Sequence, residues 1–177
     1  MWVLQLWNTG TKKIEKQMLC YCYEQHKCTI NTLIWHMNND WCASGCSRGR
    51  LHVIKLDTSM RESIPLAHDG QICLLRSSAD GCLLASSGED GAVRVRSWKT
   101  LNIILEIRDH SSYGRAIAWH PWKASCLVIG GINDGTLSVW NVNTQRKEVQ
   151  QLDPRAAIYS LEFNFLTGEL VASVSMT

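Results

Sequence analysis

The stretch GRAIAWHPWKASCLVIGGINDGTLSVWNV, residues 114–142, decides the fold of this chain. It contains an alternating apolar segment, a turn around Pro121, a second apolar segment ending in Gly130 and Gly131, an Asn-Asp-Gly turn and a third alternating segment. Short alternating runs separated by Gly and Pro turns are typical of half-buried β-strands. An Asp-Gly turn closes a tight hairpin, because glycine accepts a positive φ. The stretch is therefore predicted to form one antiparallel β unit.

The same order of segments occurs twice more, over residues 30–57 and 71–99. The turn glycines Gly49, Gly91 and Gly135 follow one another at intervals of 42 and 44 residues. A period of about 40–45 residues with four short strands is typical of a propeller blade. The sequence therefore predicts an all-β fold, a β-propeller.

Partial units flank the three full ones, so we predict an arc of three full blades and two partial blades. The predicted boundaries are the end of one blade at 1–29, full blades at 30–67, 68–109 and 110–155, and the start of a further blade at 156–177. Matching places on the first strands hold Trp35, Arg76, Trp119 and Phe163. Arg76 thus puts a charge in an apolar position, or lies on an outward face.

Composition excludes several classes of function. The chain has 177 residues, is 45% hydrophobic and carries 18 basic and 16 acidic residues, for a net charge of +2. That balance, without a basic cluster, gives no indication of a nucleic-acid surface. No apolar run approaches the roughly 18 residues that a membrane span requires. We therefore expect one globular domain that binds neither nucleic acid nor membrane.

The eight cysteines leave one alternative open. Cys20, Cys22, His26 and Cys28 lie close together in the sequence and carry side chains that bind zinc. However, the chain has no C-x-x-C pair, and the spacing differs from that of a zinc finger or ribbon. Ordinary loop or core cysteines are the favoured interpretation, and no cofactor or metal is predicted.

The second unit contains His68, Ser86 and Asp90, the residue types of a hydrolase triad. In propellers of the WD-repeat type, which these units resemble, such residues instead form a hydrogen-bonded network that holds a blade together. The third unit supplies further members in the same places, His110, Asp134 and Trp140. A catalytic triad has no reason to recur at the period of the repeat, so a structural network is favoured and no enzyme is predicted. The position that Trp140 holds in the third unit is taken by Arg96 in the second unit and by Ile54 in the first.

The stretch at 115–142 also resembles one family of WD-repeat proteins. Ala-x-Ala-Trp-x-Pro-Trp at 116–122, the Gly-Gly pair and the Trp-Asn-Val ending at 140–142 are similar to the Fizzy family, whose members activate the anaphase-promoting complex, a ubiquitin ligase. Weaker likeness extends over nearly the whole chain, in CASGCSRGRLHVIKLD, DGCLLASSGEDGAVRVRSW and VLQLWN. Within the family, the insect Cortex group is the best match.

This resemblance implies an adaptor that recruits substrates, with anaphase-promoting complex subunits and degron-bearing proteins as its partners. It implies roles in cell division or meiosis and a location in the cytoplasm and nucleus. The family's propeller has seven blades, and its ligase-docking segments, a C-box and a terminal Ile-Arg, lie outside it. Neither segment occurs in this sequence, so we expect a fragment of a longer chain.

The resemblance also suggests a degron-facing loop at Glu89, Asp90 and Gly91. Family members read the KEN box with polar side chains around a Gly-Gly-Asn-Asp-Asn turn, and both asparagine places have changed here. Glu89 would repel the glutamate of a KEN box. The alternative is therefore a general WD-repeat interaction scaffold that has lost degron recognition, with these residues serving only as a turn.

Overall fold

The computed structural model describes residues 3–19, 28–38, 40–55, 61–108, 116–132, 135–153 and 155–176. All the regular secondary structure in these ranges is β-strand. Within the same ranges, no helix could serve as a membrane span. The all-β prediction is therefore confirmed.

The described strands form five antiparallel sheets, labelled I to V in chain order. Sheet I contains β1 (Val3–Asn8) and β2 (Lys13–Leu19). Sheet II contains β3 (Ile30–Trp35), β4 (Trp41–Cys46), β5 (Leu51–Lys55) and β6 (Arg61–Ile64). Sheet III contains β7 (Ile72–Ser77), β8 (Leu83–Gly88), β9 (Val93–Ser97) and β10 (Ile103–Ile107). Sheet IV contains β11 (Ala116–Trp119), β12 (Cys126–Gly130), β13 (Thr136–Asn141) and β14 (Arg146–Gln151). Sheet V contains β15 (Ala156–Phe163) and β16 (Leu170–Met176).

Each four-stranded sheet keeps its strands in chain order, with every strand antiparallel to its neighbour. The first strands of sheets II, III and V share an irregularity close to their starts. It lies between Ile30 and Thr32, between Ile72 and Leu74, and between Ile158 and Ser160. The sheets therefore repeat in backbone detail as well as in strand order.

The first strands lie side by side, with β3 against β7, β7 against β11 and β11 against β15. From sheet II to sheet V, a separate layer of apolar side chains fills each space between successive sheets. Leu51 and Leu84 belong to the layer between sheets II and III, and Ile158 belongs to the layer between sheets IV and V. Sheets II to V are thus stabilised mainly by their nearest neighbours, as in other repeat proteins.

Two glycines allow this close approach of the sheets. A Cβ atom at Gly45 would lie 2.5 Å from Cγ2 of Ile72 in the next sheet. A Cβ atom at Gly130 would lie 2.5 Å from Cγ2 of Ile158, again in the next sheet. Both distances are shorter than van der Waals contact allows, so a side chain at either position would force neighbouring sheets apart.

Candidate functional site

The structure places three of the predicted network residues in direct contact. The His68 side chain is fully buried and lies between sheets II and III, where Nε2 is 2.8 Å from the Ser86 hydroxyl oxygen. Its Nδ1 atom is 2.9 Å from Oδ1 of Asp90. A Cβ atom at Gly88 would collide with the His68 ring, so this glycine makes the space in which the imidazole packs.

Arg94 is a further member of this network, and it was not predicted from the sequence. Its Nη1 atom lies 2.6 Å from Oδ2 of Asp90 and 2.8 Å from Nδ1 of His68. Its Nε atom donates to the Glu106 carboxylate on the adjoining strand, β10, at 3.1 Å. The pattern Val-Arg-Val-Arg at 93–96 was the available signal, since it places two arginines on one face of an otherwise buried strand.

The electrostatics of this network fix the charge of Asp90. Partial burial alone would raise the pKa of Asp90, but hydrogen bonds from Arg94, His68 and the Asp69 amide hold that pKa well below its usual range. Burial lowers the pKa of His68 below its ordinary value, despite the opposing effect of Asp90. Asp90 is therefore ionised and His68 neutral at physiological pH. A neutral imidazole carries one ring proton, so Nδ1 either donates to Asp90 or accepts from Arg94.

The Ser86 hydroxyl is too deeply buried for these residues to act as a catalytic triad. The Ser86 side chain is 0% exposed, and its hydroxyl also lies 3.3 Å from the Arg94 carbonyl oxygen. A hydroxyl nucleophile must reach a substrate carbonyl, and this one is enclosed by protein on all sides. The triad-like order of groups serves to satisfy buried polar atoms and to hold β8, β9 and the segment before β7 together.

The predicted degron-facing turn is bound to that same segment. The Glu89 carboxylate accepts a hydrogen bond from the Gln71 amide at 3.2 Å, and the Glu89 amide donates to the Gln71 carbonyl at 2.9 Å. Gly91 has a φ of +72°, which favours glycine. Glu89 itself remains exposed, so its charge faces solvent beside the network.

The remaining predicted residues belong to the third unit. His110 and Asp134 lie outside the described residues. Trp140 lies in β13, is half-buried, and has Nζ of Lys147 5.8 Å from its ring centre. Of the cysteines and histidine considered for zinc, only Cys28 lies within the described part of the chain, where it is buried. The zinc alternative stays untested.

In sheet III, Arg96 occupies the position that Trp140 holds in sheet IV. Its side chain is 6% exposed, and Nη1 donates to the Leu101 carbonyl at 3.0 Å. Its Nε atom has no hydrogen-bond partner among the described residues. Burial, together with the nearby charge of Arg94, lowers the pKa of Arg96. Trp98 instead supplies a buried indole, which donates to the Ser77 hydroxyl at 3.0 Å.

Comparison with known proteins agrees with this architecture. The family model "WD domain, G-beta repeat" matches residues 17–55 and 61–97. Two solved structures share the fold. A chain of the mitotic checkpoint complex has a TM-score of 0.59 and 16% identity, with 94% of this chain and 62% of that chain covered. The WD40 repeats of RRP9 have a TM-score of 0.67 and 17% identity, with 78% and 43% covered. The prediction of a partial propeller is confirmed.

Curated relatives match over most of the chain. Protein cortex of Heliconius melpomene is 28% identical, over 98% of this chain and 40% of its own length. "Cell division cycle 20.5, cofactor of APC complex" of Arabidopsis thaliana is 32% identical, over 86% and 35%. "APC/C activator protein CDH1" of Saccharomyces cerevisiae is 30% identical, over 86% and 28%. The chain thus spans 40% or less of the length of these relatives.

The similarity covers both the sheets with the buried network and those that flank them. This chain is a WD40-repeat protein related to Cortex and to the activators of the anaphase-promoting complex, as its resemblance to the Fizzy family predicted.

Proposed function

We propose that this chain is part of a substrate-recruiting activator of the anaphase-promoting complex, acting in cell-cycle or meiotic progression in the cytoplasm and nucleus. The observation that carries the proposal is the similarity to cofactors and activators of that complex, at about 30% identity over 86% of this chain. The buried His68 network supports an adaptor role, because its polar groups hold β8, β9 and the segment before β7 together and are not available to a substrate. Partner binding then falls to the exposed turns at the sheet ends.

The first experiment is a pull-down from mitotic extract with the full-length product that contains this chain as bait. We expect ligase subunits to co-purify, and an unrelated WD-repeat protein with the same tag to recover none. If a complete, folded propeller recovers no ligase subunits, the activator proposal fails.

A second candidate function, a WD-repeat scaffold that has lost degron recognition, is favoured by one observation. The acidic Glu89 side chain is held at the turn by the Gln71 amide, where it would oppose the glutamate of a KEN box. Fluorescence anisotropy with a labelled KEN-box peptide separates the two functions. If degron recognition is retained, the peptide binds and Glu89→Asn strengthens binding several-fold, whereas Glu62→Gln on β6 does not. If neither the parent protein nor the Glu89 variant binds the peptide, the scaffold is supported.

A further inference from the structure

A cavity of about 290 Å³ opens where the first strands of sheets III, IV and V end. The last two residues of β7, β11 and β15 line it, together with one residue from each following turn. It lies at the opposite ends of these strands from Glu89 and the His68 network, which adjoin the start of β7. It is therefore separate from the predicted degron-facing turn.

Aromatic side chains form much of its wall. Trp119 is buried and donates its indole proton to the Arg76 carbonyl at 3.1 Å, which ties sheet IV to sheet III. Phe163 is half-buried, with its ring centre 5.1 Å from that of His120. Phe165 stands at the rim and is 69% exposed. The cavity is thus a rigid aromatic recess with an open mouth.

The apolar surface continues beyond the mouth. Trp122 is 57% exposed, contacts the His120 ring and lies against Gly168 of the neighbouring turn. Leu166 is also strongly exposed. Large exposed aromatic residues grouped around a recess are typical of protein interaction sites. Extension of sheet V would add a strand to the edge of β16 away from β15, and so would not fill this recess.

Two opposite charges stand on its walls. The predicted match of Arg76 with Trp119 and Phe163 is wrong by one residue, because the strand pairing gives that place to Ser77. Arg76 precedes it on β7, and its Nη1 atom donates to the Leu75 carbonyl at 3.2 Å. Glu162 lies on β15 and is exposed. Within the described part of the chain, neither charge belongs to an ion pair. The guanidinium therefore keeps donors free for a carboxylate, and the Glu162 carboxylate is free for a cation.

We propose that this recess binds a linear segment of a partner protein in which an aromatic or large aliphatic residue stands between an acidic and a basic residue. The apolar side chain enters among Trp119, Phe163 and Phe165, the acidic group pairs with Arg76, and the basic group pairs with Glu162. The volume lies at the lower end of the roughly 300–1,000 Å³ range of ligand pockets, which suits one or two side chains. This binding does not depend on degron recognition or on ligase docking.

The test starts with a random peptide library displayed on phage and selected against the whole chain. We expect enriched peptides to place an acidic and a basic residue on either side of an apolar one. The best peptide, synthesised with a fluorescent label, is then titrated against the parent and variants by anisotropy. Arg76→Glu is expected to weaken binding about tenfold or more, and Phe165→Ala likewise, because each removes a central contact. The control Arg146→Glu, on the exposed face of β14, is expected to change affinity less than twofold.

Exchanging the two charges distinguishes specific ion pairing from nonspecific binding. Arg76→Glu combined with Glu162→Arg should reject the first peptide and bind a peptide with its acidic and basic residues exchanged. Circular dichroism melts matching the parent confirm that the variants are folded. The proposal is overturned if no peptide is selected, if the enriched peptides lack the charge pattern, or if a folded Arg76→Glu variant binds unchanged.

Discussion

Nη1 of Arg94 lies 2.6 Å from Oδ2 of Asp90, and the two side chains are only 11% and 7% exposed. The pair closes the network that begins at Ser86 and His68, and it joins two strands of sheet III to the segment entering that sheet. Removing one charge from such a pair leaves the other buried without full compensation.

Asp90→Asn is therefore expected to lower the free energy of unfolding by about 2–3 kcal/mol. The measurement is urea unfolding followed by tryptophan fluorescence. Glu62→Gln, on the exposed β6, is the matched control and should change stability by less than about 0.5 kcal/mol. Equal effects of the two substitutions would show that the Asp90 network contributes no special stability.

The network also predicts how stability depends on pH. The pKa of His68 is lowered in the folded state, so below the ordinary value of 6.5 the unfolded chain binds more protons and stability falls as pH falls. The pKa of Asp90 is also lowered, so its contribution is present above the ordinary value of 3.8 and is lost with further acidification. Both groups therefore act in the same direction.

Urea midpoints at pH 7.5, 6.5, 5.5 and 5.0 test this dependence. We expect the midpoint to fall across the series for the parent chain and to fall less steeply for His68→Gln, since glutamine does not titrate. The slope is the readout, because the variant also loses stability at every pH. A parent midpoint that stays constant or rises on acidification would contradict the lowering of the His68 pKa in the folded chain.

Gly130 provides a test of the packing between sheets IV and V. Gly130→Ala introduces a Cβ atom 2.5 Å from Cγ2 of Ile158, so we expect a loss of about 1–3 kcal/mol in unfolding free energy. Gly10→Ala is the control, because a Cβ there meets only the Asn8 side-chain oxygen, at 3.3 Å. Thermal melts by circular dichroism compare the two. If Gly130→Ala melts with the parent, sheet V is not packed as closely as described.

The sequence supported the fold better than it supported the detail of the site. Gly49, Gly91 and Gly135 carry the repeat period, and all three adopt a positive φ. Such turn positions are readable because few residues other than glycine tolerate that conformation. The Gly-Gly pair at 130–131 is less readable, since the sequence does not show that Gly130, at the end of β12, is the one that leaves space for Ile158 of the next sheet.

The burial of Arg94 and Arg96 could not be predicted from the sequence, because alternation alone does not reveal what covers a strand face. Both arginines alternate with valines, a pattern that reads as a strand with one solvated face. Packing against sheet II and the His68 segment buries that face instead, and it gives Arg94 two carboxylate partners. The contribution of each arginine to stability therefore depends on residues that are more distant in the chain.

These two arginines give the last prediction, a pair of substitutions with opposite signs on one strand. Arg94→Leu removes a guanidinium that neutralises Asp90, so it should lower the unfolding free energy by about 2–3 kcal/mol. Arg96→Leu removes a guanidinium whose Nε has no partner among the described residues, and it puts an apolar side chain in the position that Trp140 holds in sheet IV. This substitution should therefore raise the unfolding free energy by about 1 kcal/mol or more. Urea unfolding of both variants beside the parent measures the difference. A loss of stability in both would mean that Arg96 is compensated by its bond to the Leu101 carbonyl after all. A gain in Arg96→Leu alone would mean that burial without a counter-charge decides the cost of an arginine on this strand.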